Sequence, residues 1–346
     1  MNARTPTPRA ARIAVVAAAL AGVAFGTAPA GAAEADPEPE YVSVADGQGW
    51  GATPRQDPQA VRDFWTPERI AETDAAGRNP VDGEPEVPSD LLLTPGGDRQ
   101  GFAPVATPYQ DAESRVTGKL YFYKPLQKTT SSCSAAVVTS GSRSLVLTAA
   151  HCVSTRIAPP GTAFAYAHGN FLFVPAYRQD QAPTGPVGAF PGVQAWVPEN
   201  WAADPMTESQ RYDVAVIGTA PNERGQHLQD AAGSVDARLT DADEPALDGL
   251  DVRGYPGRKY GASRQFHCTA RATLSFADGP QMETRNCLAT PGNSGGPVFR
   301  TDTAGRTSLV GVVSQGGVSS GSATALGRLT SRTFGPLFAE ADARMK

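Results

Sequence analysis

Ser144-Leu-Val-Leu-Thr-Ala-Ala-His151-Cys152 holds both a structural and a chemical signal within nine residues. Leu145, Val146 and Leu147 form a short apolar run of the length of a buried strand. Thr148, Ala149 and Ala150 are small, and small residues let the backbone turn tightly, so that the His151 imidazole can project away from the strand into a cleft. The stretch therefore reads as a strand that delivers a histidine.

Outward from it, the same kind of segment recurs. From Arg115 the chain continues Val-Thr-Gly-Lys-Leu-Tyr-Phe-Tyr, and residues 134–139 read Ser-Ala-Ala-Val-Val-Thr. Similar runs stand at Ala163–Tyr166, Phe171–Val174, Val214–Ile217, Leu250–Gly254, Ala270–Phe276, Pro297–Phe299 and Leu309–Ser314. They are rich in branched and aromatic residues and are punctuated by Gly, Ser and Pro, which is a strand-and-turn pattern. No stretch sustains an apolar period of 3.6 before Ser331–Ala343, where a terminal helix is expected. The pattern is all-β over about 230 residues, enough for one sizeable core or two smaller ones. No internal repeat is visible.

Two further segments bring chemistry to the histidine. Tyr212-Asp213 precedes the apolar run Val214-Ala215-Val216-Ile217. A lone Asp is usually solvated, but the tyrosine before it and the strand after it favour a buried, hydrogen-bonded carboxylate. Such a group fixes an imidazole's tautomer and supports the imidazolium that forms during acyl transfer. Gly292-Asn-Ser294-Gly-Gly-Pro297 surrounds a serine with glycines, which adopt backbone angles other residues refuse and clear room for a substrate carbonyl. The amides of Gly292 and Ser294 are candidates for an oxyanion hole. Gly-x-Ser-x-Gly also matches the nucleophile elbow of α/β-hydrolases. In that fold the histidine follows the serine, and this chain has no histidine beyond His267. Histidine, aspartate and serine in this order thus make His151 the candidate base, Asp213 its orienter and Ser294 the nucleophile.

These segments resemble the chymotrypsin-like (trypsin-like) serine peptidase family, and its secreted bacterial members more than the pancreatic ones. The resemblance covers roughly residues 115–335. It implies two packed antiparallel β-barrels followed by the C-terminal helix, barrel one at about 115–230 and barrel two at about 245–335. His151 and Asp213 would come from the first barrel and Ser294 from the second, with peptide-bond hydrolysis through an acyl-enzyme. Ser314 matches the family's serine beneath the catalytic aspartate, and Gln315–Gly316 its substrate-pairing backbone. Cys133 is expected to bridge Cys152, steadying the histidine, and Cys268 to bridge Cys287 beside the pocket wall. Three departures stand out. Asn293 replaces an aspartate that pairs with a freed amino terminus in the animal enzymes, so that charge switch should be absent. Leu288 occupies the base of the specificity pocket, where a basic side chain would be desolvated without a partner. Val313 replaces the histidine of glutamate-specific relatives. A small or apolar residue before the scissile bond is therefore expected.

The two ends of the chain belong to other kinds of segment. Arg4, Arg9 and Arg12 precede an apolar run from Ile13 to Gly26 and small residues from Ala28 to Ala33. That is the order of a secretory signal peptide, expected at residues 1–33, and the run is short of the roughly 20 residues a bilayer span takes. Export gives the four cysteines meaning: an oxidising compartment pairs them, and spacing alone leaves three connectivities open. Residues 34–108 carry 15 acidic against 5 basic side chains and are rich in Pro, Gly and Ala. Such a composition cannot fold alone and reads as a poorly ordered propeptide ahead of a peptidase domain at 109–346. Within it, Phe64-Trp65-Thr66-Pro67-Glu68-Arg69-Ile70 suggests a short helix capped by Thr66, with Pro67 and Glu68 in its first turn. Those aromatics would either dock on the enzyme or belong to a solvated linker.

The remainder of the chain, 109–346, has 20 acidic and 22 basic residues, which gives no argument for nucleic-acid or acidic-membrane binding. No His-Glu-x-x-His or close cysteine pair occurs, so neither a catalytic metal nor a cofactor is expected. The expected partners are a protein or peptide substrate and the chain's own propeptide; the default state is an extracellular monomer. The alternative is a protease-fold binding protein that has lost turnover.

Overall fold

The computed structural model describes residues 39–44, 47–78, 101–157, 164–181, 184–203, 210–240, 244–257, 261–274, 281–285, 287–317 and 323–346. The expected signal peptide at 1–33 lies outside the described residues.

The short runs of branched residues are strands. Ahead of the barrels come β1 (Ser43–Val44), β2 (Trp50–Ala52) and β3 (Ala103–Pro104). The first barrel region holds β4 (Thr117–Lys124), β5 (Thr129–Val138), β6 (Leu145–Thr148), β7 (Ser154–Ile157), β8 (Phe164–Ala167), β9 (Gly169–Pro175), β10 (Phe190–Pro198) and β11 (Ala215–Thr219). The second holds β12 (Ala246–Gly254), β13 (Phe266–Leu274), β14 (Gln281–Thr284), β15 (Pro297–Thr301), β16 (Thr307–Gly317) and β17 (Ala323–Arg328).

Pairing closes both sheets. In the first, β10, β11, β6, β5, β4 and β9 follow one another, and β9 pairs back onto β10. In the second the order is β12, β15, β16, β17, β14, β13, closed by β12 on β13. Each is a six-stranded antiparallel barrel, and closure removes the sheet edges that would otherwise template aggregation. The twelve barrel strands lie between Thr117 and Arg328. Each barrel has its own core: Leu120, Phe122, Val146, Phe171, Trp196 and Val216 are among the buried residues of the first, and Leu250, Val252, Phe266, Val298 and Leu326 among those of the second.

The C-terminal helix spans Gly335–Arg344, starting a few residues after the expected Ser331. It follows barrel two in sequence but packs on barrel one, where Phe334, Leu337 and Ala341 join the first core.

Residues 47–78 correct the expectation of a poorly ordered segment. β2 pairs with β10 and so extends the first sheet. Helix α1 (Pro58–Phe64) starts at Asp57, whose carboxylate accepts from the Gln59 amide at 3.1 Å, with Pro58 in the first turn. Helix α2 (Pro67–Arg78) starts after Thr66, whose hydroxyl accepts from the Arg69 amide at 3.2 Å. Val61, Trp65 and Ile70 are buried against Tyr121, Leu172, Val174, Tyr177 and Tyr255. The physical reason lies in β4. Alternate residues of a strand face opposite sides; Leu120 and Phe122 fill the barrel, while Tyr121 faces the helix pair. A segment too polar to fold alone orders on an outer face that is itself apolar. Of the docked and solvated readings, these residues follow the docked one.

Candidate active site

The His151–Asp213 contact follows from strand register. β11 runs antiparallel to β6 with Ala215 opposite Thr148. Asp213 lies just before β11 and His151 just after β6, so both come to the same end of neighbouring strands. His151 sits on a single 3-10 turn, Ala150–Cys152. Its backbone amide donates to Asp213 Oδ1 at 2.9 Å, and its ring Nδ1 lies 2.7 Å from Asp213 Oδ2. From barrel two, Ser314 Oγ donates to the same Oδ2 at 2.6 Å. The Asp213 carboxylate is buried and receives three donors. Cys152 is bridged to Cys133 on β5, with Cα atoms 6.3 Å apart, which ties the histidine's turn to the barrel wall.

Burial opposes charge on both members of this pair, and their mutual attraction prevails. For His151, burial pushes the pKa down, but the adjacent Asp213 carboxylate holds it above the usual imidazole value of 6.5. For Asp213, burial pushes the pKa up, and His151, Ser314 and the His151 amide together bring it below the usual 3.8. The other nearby imidazole behaves differently. His168 is buried and stacked on Phe122, and it contacts Cys152 O at 3.0 Å and Thr155 Oγ1 at 2.7 Å. Burial there drives its pKa to about 3, so it is a neutral structural histidine.

Ser294 is carried on the loop before β15. Gly292 has φ +99° and Gly295 φ +75°, values L side chains rarely adopt. A Cβ on Gly295 would lie 2.1 Å from Thr148 Oγ1 and 2.4 Å from Ser134 O, so only glycine lets the loop press this closely on barrel one. Ser134, on β5, meets it there. The Ser134 amide donates to Ser294 O at 2.8 Å; Ser134 Oγ donates to Gly292 O at 2.7 Å and accepts from the Tyr255 amide at 2.8 Å. Among the described residues, the amides of Gly292 and Ser294 donate to no protein acceptor, and the Ser294 hydroxyl has no hydrogen-bond partner. Asn293 is fully buried, and its side-chain amide is unpaired among the described residues.

His151, Asp213 and Ser294 share one cleft of about 370 Å³, together with Ser314 and Gly316. Val313 also lines it. Leu288, expected at the base of the specificity pocket, is not part of this lining; the wall starts at Ala289 and continues through Thr290 and Pro291. Cys268 bridges Cys287 just ahead of that wall.

Sequence reasoning missed Trp201 and Ser134. Trp201, on the helix Glu199–Ala203, lines the cleft while its indole N–H donates to Ser154 Oγ at 2.8 Å. The one signal for Ser134 was a hydroxyl at the head of an otherwise apolar run.

Comparison with known proteins bears on the family and the fold. The family model for the trypsin-like peptidase domain matches residues 133–312. Among solved structures, the protease Anisep from Arthrobacter nicotinovorans is similar at a TM-score of 0.54 and 24% identity, covering 67% of this chain and 98% of its own. A thermostable serine protease, AL20, from an extremophilic microorganism is similar at a TM-score of 0.53 and 21% identity, covering 67% and 99%. At those identities the likeness speaks to the fold. No curated protein sequence matches the chain.

Proposed function

Since this chain belongs to the trypsin-like peptidase domain family, and is accordingly a serine peptidase, we propose that it is a secreted endopeptidase working through Ser294, His151 and Asp213. The observation that carries this reading is the buried Asp213 carboxylate. It holds the His151 backbone, the His151 ring and Ser314 at once, in the cleft that Ser294 lines.

In this mechanism neutral His151 takes the Ser294 proton as the hydroxyl oxygen attacks the scissile carbonyl. Asp213 fixes the ring with Nδ1 protonated, leaving Nε2 to act as the base. The Gly292 and Ser294 amides receive the oxyanion, a contribution typically worth about 3 kcal/mol per donor. The imidazolium then protonates the departing amine, and water deacylates Ser294 by the reverse proton path. Ser314 holds Asp213 ionised and oriented. Among the described residues that line the cleft, only His151 and Asp213 are ionisable, which supports a small or apolar residue before the scissile bond, since a charged one would be desolvated without a partner.

Export is proposed from the leader pattern at 1–33, and the two disulfides fit an oxidising compartment. The proposed enzyme acts as a monomer on protein or peptide substrate. The described residues of 39–108 do not line the cleft, so occlusion is not the role supported for them. Digestion of casein or a mixed peptide pool tests the reading: the secreted protein should hydrolyse it, and Ser294→Ala should fold normally while losing activity by about a million-fold. A folded secreted protein without hydrolysis would favour the binding-protein alternative.

A further inference from the structure

The helix pair of residues 57–78 is held by more than an apolar patch. Asp74, on α2, is buried with its carboxylate inside barrel one's outer aromatic cluster. Lys119 Nζ donates to Asp74 Oδ1 at 2.6 Å and Tyr121 OH donates to the same oxygen at 2.9 Å, while Tyr177 OH donates to Oδ2. Lys119 is almost fully buried, with its ammonium 5.2 Å and 5.0 Å from the Tyr121 and Tyr177 ring centres. Removing one member of a buried ion pair is strongly destabilising, because the other is left in a medium that disfavours charge. Taking α2 away would strip a buried ammonium and two phenols of their shared acceptor. Further anchors surround it. The Trp65 indole donates to Asn170 O at 2.5 Å, Arg62 to Pro221 O at 2.7 Å, and the Thr73 and Thr130 hydroxyls meet at 2.6 Å.

The same helix leads to the reacting loop by two short routes. At its C-terminal end, the Gly77 carbonyl packs so closely on Gly257 that a Cβ there would lie 2.5 Å from it. The Gly257 amide donates to Pro291 O at 2.7 Å, one residue before Gly292. From Asp74, Lys119 also reaches Ala262 O at 3.3 Å, and the Ala262 amide donates to Pro256 O at 2.9 Å. Both routes end on the 255–257 turn, against which the Gly292 backbone rests.

We propose that residues 57–78 are a resident brace and not a discarded leader: they remain bound to the barrels in the working enzyme and hold the 255–257 turn against the loop of Gly292 and Ser294. The surface of Lys119, Tyr121, Tyr177 and Tyr255 is thus a docking site whose occupant is this chain's own α1–α2 pair. The effect on turnover rests on the peptidase reading above; retention does not.

Two readouts on the secreted protein separate these. Native mass spectrometry, compared with the denatured mass, should find residues 57–78 in the particle, covalently or as a bound fragment. A native particle lacking them, with undiminished hydrolysis, would overturn the proposal. In the full chain, Asp74→Asn and Trp65→Ala should each lower the melting temperature and reduce kcat by about tenfold with KM within about twofold. Glu72→Ala, on the exposed face of α2, should change neither. Should Trp65→Ala fail to fold, Asp74→Asn carries the test, because it keeps the side chain's size. Unchanged melting and kcat in Asp74→Asn would contradict the brace. Should the wild type prove inactive, the peptidase reading fails, while retention and melting still decide whether the segment is resident.

Discussion

At the scale of single residues, the proposed chemistry depends on a proton held between His151 and Asp213. His151 must be neutral to act as base. Its pKa is held above 6.5 by Asp213 against the opposing effect of burial, so the acidic limb of kcat/KM against pH should have its midpoint above 6.5. Asp213→Asn removes the charge, so the limb should move to lower pH and kcat should fall by about 10⁴-fold. A midpoint that stays in place in Asp213→Asn would show that another group titrates. Ser134 makes a second residue-scale prediction. Ser134→Ala leaves the Tyr255 amide and the Gly292 carbonyl without their shared hydroxyl, and should lower kcat about tenfold with KM nearly unchanged. Steady-state kinetics on a small peptide substrate would read both parameters. The three proposed catalytic residues were legible as candidates because each lies in a distinctive local context. Ser134 was not, since its partners Gly292 and Tyr255 lie 158 and 121 positions away.

At the scale of elements, strands were easier to read than helices. The branched and aromatic runs fall on nine of the twelve barrel strands, because closure buries one whole face of each; β10, β14 and β17 went unread. Helix α1 went unread: it is seven residues long and buries a single side chain of its own, Val61. The capping pattern at Thr66-Pro67 did identify the start of α2, because Thr66 satisfies a first-turn amide whatever the tertiary context. Local chemistry sets helix starts; packing decides where the helix sits. The bridge from Cys268 on β13 to Cys287 ahead of the cleft wall has an element-scale consequence. It joins cysteines 19 positions apart, so Cys268→Ser with Cys287→Ser should lower stability by about 3 kcal/mol in guanidinium denaturation. A change under about 0.5 kcal/mol would mean that the loop is already restrained without the bridge.

At the scale of the whole molecule, six strands close into each barrel, and the proposed site draws on both: His151 and Asp213 from the first, Ser294 and Ser314 from the second. The resemblance carried by three short motifs anticipated this division. Composition misled in one place, since 15 acidic residues and many prolines between 34 and 108 suggested a segment without fixed structure. Docking depends on the outer face of β4, where Lys119 and Tyr121 look like ordinary strand residues until a partner covers them. The central claim is that imidazole, carboxylate and hydroxyl form one working unit across the two barrels. Stoichiometric labelling with a fluorophosphonate, followed by peptide mapping, tests it most directly. One adduct per molecule on Ser294, lost in His151→Ala, is the predicted result; no adduct on the folded secreted protein, or an adduct on another residue, would contradict it.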